Sequence, residues 1–145
     1  MKPDPAPSLV QLYEATIEIG PRLDLGASAH GHRFHVDILG GHFQGPRMRG
    51  RVLPGGADRQ LLRSDGVKEL SALYEMQTDD GAVLSIRNHV LLREPGNAPR
   101  YARSVIRVQA PRGPYEWLSQ CVIIGTLRSL RPERDAVLIR AYAVE

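Results

Sequence analysis

The sequence predicts an all-β fold: one antiparallel β-barrel of about 8–10 strands, calycin-like in outline. Three observations predict it. Apolar and polar residues alternate with a period of two along most of the chain, Gly-, Pro- and Asp-Gly-rich turns separate the alternating runs, and no segment carries a convincing amphipathic-helix pattern. At 145 residues and 16.1 kDa the chain is sized for one domain with one core.

Residues 1–8, with prolines at positions 3, 5 and 7, read as a flexible tail ahead of a barrel domain over 9–145. Leu9 to Ile19 alternates as a long strand, which Gly20-Pro21 is expected to end. A second strand is expected over Arg33–Leu39, broken by Gly40-Gly41. The third, Arg47–Leu53, puts Arg47, Arg49 and Arg51 on one face and Met48, Gly50 and Val52 on the other. A short strand, Asp58–Arg63, follows the turn Pro54-Gly55-Gly56-Ala57-Asp58. The clearest hairpin runs from Leu70 to Thr78, turns at Asp79-Asp80-Gly81, and returns through Ala82 to Arg93. Tyr101–Gln109, Ser119–Leu127 and Asp135–Val144 complete the set.

Composition limits the function classes. One cysteine, Cys121, excludes an internal disulfide and suits a reducing compartment. No apolar run approaches the ~20 residues of a membrane helix, and the proline-rich start does not resemble a signal peptide. A cytoplasmic, bacterial-type protein with no membrane partner is expected. The formal charge is +3, and the basic residues are almost all arginine, with lysine only at Lys2 and Lys68. Arginine forks suit carboxylates and phosphates, although GC-rich coding sequence yields the same bias. Nucleic-acid binding needs a basic stripe interleaved with stacking aromatics; the aromatics here do not cluster with the arginines.

The candidate site residues come from polar positions on apolar faces. Along the return strand of the hairpin, Asn88 interrupts a row of Leu84, Ile86, Val90 and Leu92. A buried amide there is either bonded within the protein or reads a ligand. Tyr74 shares the matching face of the partner strand, as a core tyrosine or a ligand contact. Asp58 either caps its turn or, partly desolvated, binds a hydroxyl or acts as an acid/base group. Gln60, Arg87 and Trp117 join them as candidate ligand contacts, with Arg87 on the face opposite Asn88 by alternation.

Metal and cofactor chemistry find no support in the sequence. His30-x-His32 with Asp37 approaches the first metal motif of cupins, but aspartate replaces glutamate and no second motif follows. Cys121 lies in an apolar run, where an inert thiol is expected. There is no nucleophile elbow, phosphate loop or dinucleotide fingerprint.

The run Gly40-Gly41-His42-Phe43-Gln44-Gly45-Pro46 through Val52-Leu53-Pro54-Gly55-Gly56-Ala57-Asp58 resembles the central motif of the domain-of-unknown-function 3237 family. Asp65-Gly66, Tyr74, Thr78 to Ala82, Arg87-Asn88, Tyr115 to Leu118 and Tyr142 to Val144 are also similar to that family. The resemblance covers the chain from Leu9 onward and implies an antiparallel β-barrel without a general function. Arg59 stands where family members commonly carry a tryptophan, which implies a more polar or differently gated pocket. The segment between Arg93 and Arg100 is shorter than in many members.

These residues lead to one expectation with two rivals. The leading one is a barrel-end pocket that binds a small organic molecule, anionic compounds being among the candidates. The rivals are a cofactor-free isomerase, cyclase or hydratase/lyase using Asp58 as acid/base, and a structural module pairing across a homodimer.

Overall fold

The computed structural model describes residues 1–145. The alternating runs form nine antiparallel strands, named here in chain order. They are β1 (Leu9–Ser28), β2 (Gly31–Gln44), β3 (Arg49–Val52), β4 (Ala57–Leu62), β5 (Lys68–Thr78), β6 (Val83–Arg93), β7 (Tyr101–Gln109), β8 (Val122–Ser129) and β9 (Ala136–Val144). Pairing runs β1-β9-β8-β7-β6-β5 and then through β3 and β4 to β2, which pairs back on β1 and closes the barrel. Strands β3 and β4 both lie between β2 and β5, end to end. They fill one position of the ring between them, interrupted by the Pro54-Gly55-Gly56 turn.

Two predicted strand ends are instead bends. Gly20-Pro21 does not end β1, which continues to Ser28, and Gly40-Gly41 does not break β2. Opposite each other, Glu18 pairs with Gly40 and Ile19 with Ile38, so Leu39 is extra; a second slip lies between Ile19 and Arg22. Such bulges sharpen local twist and let long strands wrap around a closed barrel. Gly40 and Gly41 have φ of 150° and 137°, a region open to glycine at little cost. Pro21 lacks a ladder donor, and the bulge is where a strand tolerates that.

The third strand begins at Arg49 rather than Arg47, and Ser119-Gln120 belongs to a 3₁₀ turn, Glu116–Gln120, ahead of β8. At the chain ends, Ser8 and Glu145 exchange two backbone hydrogen bonds of 2.7 and 2.8 Å. Residues before Ser8 carry no regular structure and are exposed.

The interior divides along the barrel axis. At one end Tyr13, Phe43, Met48, Met76, Leu84 and Leu118 are buried in the larger core cluster. Leu118 comes from the 3₁₀ turn, and the neighbouring Tyr115 hydroxyl donates to Asp80 Oδ1 at 3.0 Å, tying that turn to the β5–β6 hairpin. Toward the other end only a small apolar group remains, Leu70, Val90, Leu92 and Ala102. Between the two the barrel is hollow.

Candidate functional site

The register of the ladders decides which side chains share a level of the barrel. Val36 on β2 pairs with Asp58 on β4, Asp58 with Ala72 on β5, Ala72 with Asn88 on β6, and Asn88 with Ile106 on β7. Because facing is set by alternation, this whole row points inward. Ala72, the smallest side chain of the row, separates Asp58 from Asn88 and leaves the space between them open. Gln60 lies one level toward the open end, paired with Leu70, and Tyr74 one level toward the packed end, paired with Ile86.

The space they enclose is a cavity of about 400 Å³. Its walls are mainly aliphatic, including Ile17, Ile38, Leu70, Val90, Val137 and Ile139. Asp58, Gln60, Tyr74 and Asn88 reach it as polar groups, and Arg22, Lys68, Arg100 and Arg131 line it as cations. Lys68 precedes Ala72 by four residues on β5, which sets it about 13 Å farther toward the open end.

The polar floor is incompletely bonded. Gln60 Nε2 donates to Asp58 Oδ2 at 3.0 Å. Asp58 Oδ1, Gln60 Oε1, the Tyr74 hydroxyl and Asn88 Oδ1 are buried without a hydrogen-bond partner in the protein. Such groups are rare in folded interiors because each forfeits its hydration. Burial pushes the Asp58 carboxyl up to about 6, against weaker opposing effects of the Gln60 hydrogen bond and the charges of Lys68 and His35. Burial likewise raises the Tyr74 phenol well above its ordinary range, with nearby Tyr13 and Asp58 acting in the same direction. Tyr74 is therefore a neutral hydrogen-bond donor at any physiological pH, and Asp58 exchanges its proton near neutrality.

Four of the six sequence candidates thus come together: Asp58, Gln60, Tyr74 and Asn88. Asp58 does not cap its own turn, since its carboxylate takes the Gln60 amide instead. Arg87 and Trp117 do not join them. Arg87 is exposed on the outer surface of β6, as alternation from Asn88 requires. Trp117 lies in the 3₁₀ turn and packs on the larger core cluster, with the Arg47 guanidinium 3.9 Å over its ring. The arginine row divides accordingly, Arg49 and Arg51 bonding outward to Asp79 and Gln77. Of the cupin-like set, His32 pairs with Asp24 at 2.6 Å and Asp37 with His35 at 2.9 Å, so His32 and Asp37 serve separate surface pairs. Cys121 is half-buried just before β8, and burial raises its thiol.

Arg22, Lys68, Arg100, Arg131 and Ala72 were not singled out by the sequence. Arg22 needed the bulge after Ile19 to be known, and Arg100 and Arg131 lie in loops that carry no alternation. Lys68 was in reach, because it continues the inward row Leu70, Ala72, Tyr74 by two residues.

Known proteins resemble the whole chain. A family model described as a protein of unknown function (DUF3237) matches residues 7–144. A UPF0311 protein of Rhodopseudomonas palustris is 33% identical over 92% of this chain and 94% of its own. A UPF0311 protein of Clostridium acetobutylicum is 36% identical, covering 92% of each. Among solved structures, a conserved protein of unknown function from R. palustris superposes with a TM-score of 0.89 at 30% identity, covering 98% of this chain and 100% of that one. A β-barrel-like protein from Acinetobacter baumannii superposes with a TM-score of 0.90 at 26% identity over the full length of both.

Proposed function

The chain belongs to the DUF3237 family of proteins of unknown function, and for this member we propose binding of a small organic molecule inside one end of the barrel. One observation carries the reading: Asp58, Gln60, Tyr74 and Asn88, each with a buried oxygen that has no partner in the protein, line one mainly aliphatic cavity. A cavity of about 400 Å³ lies in the size range of small-molecule sites, and a few polar groups on apolar walls are how such sites orient a ligand. A ligand hydroxyl that accepts from the Tyr74 O–H and donates to Asn88 Oδ1 would supply the partners these two buried oxygens lack. Mass spectrometry of small molecules released from protein purified from its own host tests this. The expected result is one organic compound in near-stoichiometric amount, absent from an Asn88→Leu preparation. No released compound, together with no thermal shift from a broad metabolite panel, would overturn it.

A second reading rests on the proton affinity of Asp58. A carboxyl near 6 beside a neutral phenol is equipped for cofactor-free proton transfer. In an isomerisation, the Asp58 carboxylate would take a proton from carbon next to a substrate carbonyl. Tyr74 and the Asn88 amide would donate hydrogen bonds to the enolate oxygen, and Asp58 would return the proton to a different carbon. The test is an Asp58→Asn variant once a ligand is known. Retained affinity with lost conversion supports catalysis, and a ligand recovered unchanged from wild-type protein leaves binding alone.

A further inference from the structure

The cavity is chemically polarised from end to end. Its floor offers hydrogen bonds, the level above it carries Leu70 and Val90 beside Gln60, and its open end is cationic. Two of the four cations have acidic partners: Arg131 with Asp135 at 3.1 Å and Arg100 with Glu94 at 3.4 Å. Arg22 and Lys68 form no ion pair. Arg22 instead lies over the Phe34 ring, 4.0 Å from its centroid, and Lys68 approaches the same ring at 5.8 Å. Phe34 therefore holds both cations at one side of the opening. Asp58 is the remaining acid of the lining, deeper in and bonded to Gln60. The opening keeps an excess of one positive charge when Asp58 is ionised, and of two when it is protonated.

We infer that the molecule bound in this cavity is an organic monocarboxylate, its carboxylate held by Lys68 and Arg22 and an oxygen function at its far end held by Asn88 and Tyr74. The inference rests on the binding reading above and names the ligand class for the same site. A single carboxylate matches the charge excess, whereas a phosphate dianion exceeds it when Asp58 is ionised. The aliphatic walls between the two polar ends require an apolar body. The four-residue offset between Lys68 and Ala72, shortened by the reach of the lysine side chain, separates the two polar ends of the ligand by about 8–11 Å. Lys68 is also pushed below its ordinary proton affinity, by its own burial and then by Arg22 and Arg100, an unfavourable crowding that a bound anion would relieve.

The test is calorimetric titration with ω-hydroxycarboxylates of six to ten carbons, the matching ω-hydroxyamides, and the matching monoalkyl phosphates. Carboxylates of one preferred length are expected to bind at least ten-fold more tightly than their amides. Lys68→Gln and Arg22→Gln should each shrink that preference several-fold while leaving amide binding in place. Arg87→Gln, which removes a charge from the outer surface, should leave the preference unchanged. Equal binding of carboxylates and amides would overturn the carboxylate assignment and leave the cavity reading standing. Tighter binding of the alkyl phosphates would also overturn it, in favour of a phosphate. No binding of any probe to the wild-type protein would overturn this inference, and the binding reading would then stand or fall on the released-compound measurement.

Discussion

Gly56 lies so close to Tyr74 that a β-carbon on the glycine would stand 2.5 Å from the tyrosine's own Cβ and 2.6 Å from the Leu73 carbonyl oxygen. The turn between β3 and β4 is therefore a packing contact as well as a reversal of direction. Its glycine lets the chain approach β5 at the level of Tyr74, and the strand that leaves it delivers Asp58 and Gln60 to the cavity two and four residues later. Ile38 donates its backbone N–H to the Gly56 carbonyl at 2.9 Å, fixing the same point from the β2 side.

Gly56→Ala is expected to cost about 2–3 kcal/mol of stability, the scale of overpacking against atoms that cannot swing aside. Gly55→Ala makes the comparison informative. Gly55 has φ of 107° but nothing within 4 Å of an added β-carbon, so its cost is backbone strain of about 1 kcal/mol. Urea denaturation of the two variants checks the order, and a larger loss at Gly55 would mean that strain, not close approach, governs the turn.

The parts of this molecule that were legible in the sequence are those with local causes. Alternation places Tyr74 and Asn88 on inward faces and Arg87 on the outer one, because side-chain direction in a strand depends only on parity. The bulges were illegible for the same reason. Gly20-Pro21 and Gly40-Gly41 look like strand ends in isolation, and only the pairing of β1 with β2 turns each into a bend. Trp117 lies outside the cavity lining, and the sequence could not show this because an aromatic beside a predicted strand has no parity until the strand's start is known, and β8 begins only at Val122. The cavity itself depends on Ala72, whose small size means nothing until Asp58 and Asn88 are known to flank it.

Asp58→Asn should stabilise the free protein, and the gain should depend on pH. The carboxyl has an ordinary value of 3.8 and is pushed up to about 6 by burial, so the folded state binds protons more tightly than the unfolded one. The Asp58 contribution is therefore fully favourable below about pH 4 and is lost as pH rises through 6. A neutral amide escapes that loss and can still accept from Gln60. The expected difference is about 2–3 kcal/mol at pH 8, shrinking toward zero near pH 4. Denaturation of both proteins at the two pH values measures it, and a difference of equal size at both would contradict the buried-carboxyl account.

Trp117 should report on the packed end of the barrel and be blind to the cavity. Trp117→Ala removes its contact with the Arg47 guanidinium and its packing on the core, an expected loss of about 2 kcal/mol. Its affinity for any compound bound in the cavity should match that of the wild type. Tryptophan emission should likewise stay unchanged through a titration that calorimetry shows to be saturating. A shift in emission on ligand addition would put the occupied site at the other end of the barrel.

Asn88→Leu separates the two reasons a polar group can sit in a core. Were Asn88 a structural amide, replacing it would break bonds that hold β5, β6 and β7 in register, and stability would fall. Its Oδ1 instead has no protein partner, while Ala72 and Ile106 flank it in the row. Leucine keeps the branched outline, removes an amide that is costly to bury unbonded, and extends into the cavity rather than into packed side chains. The expected result is unchanged or increased stability, by up to about 1 kcal/mol, with a loss of ligand affinity of ten-fold or more. Opposite movements of melting temperature and affinity in one variant would identify a residue kept for binding at the expense of the fold. A joint fall in both would return Asn88 to the core and remove the carrying observation for the cavity's function.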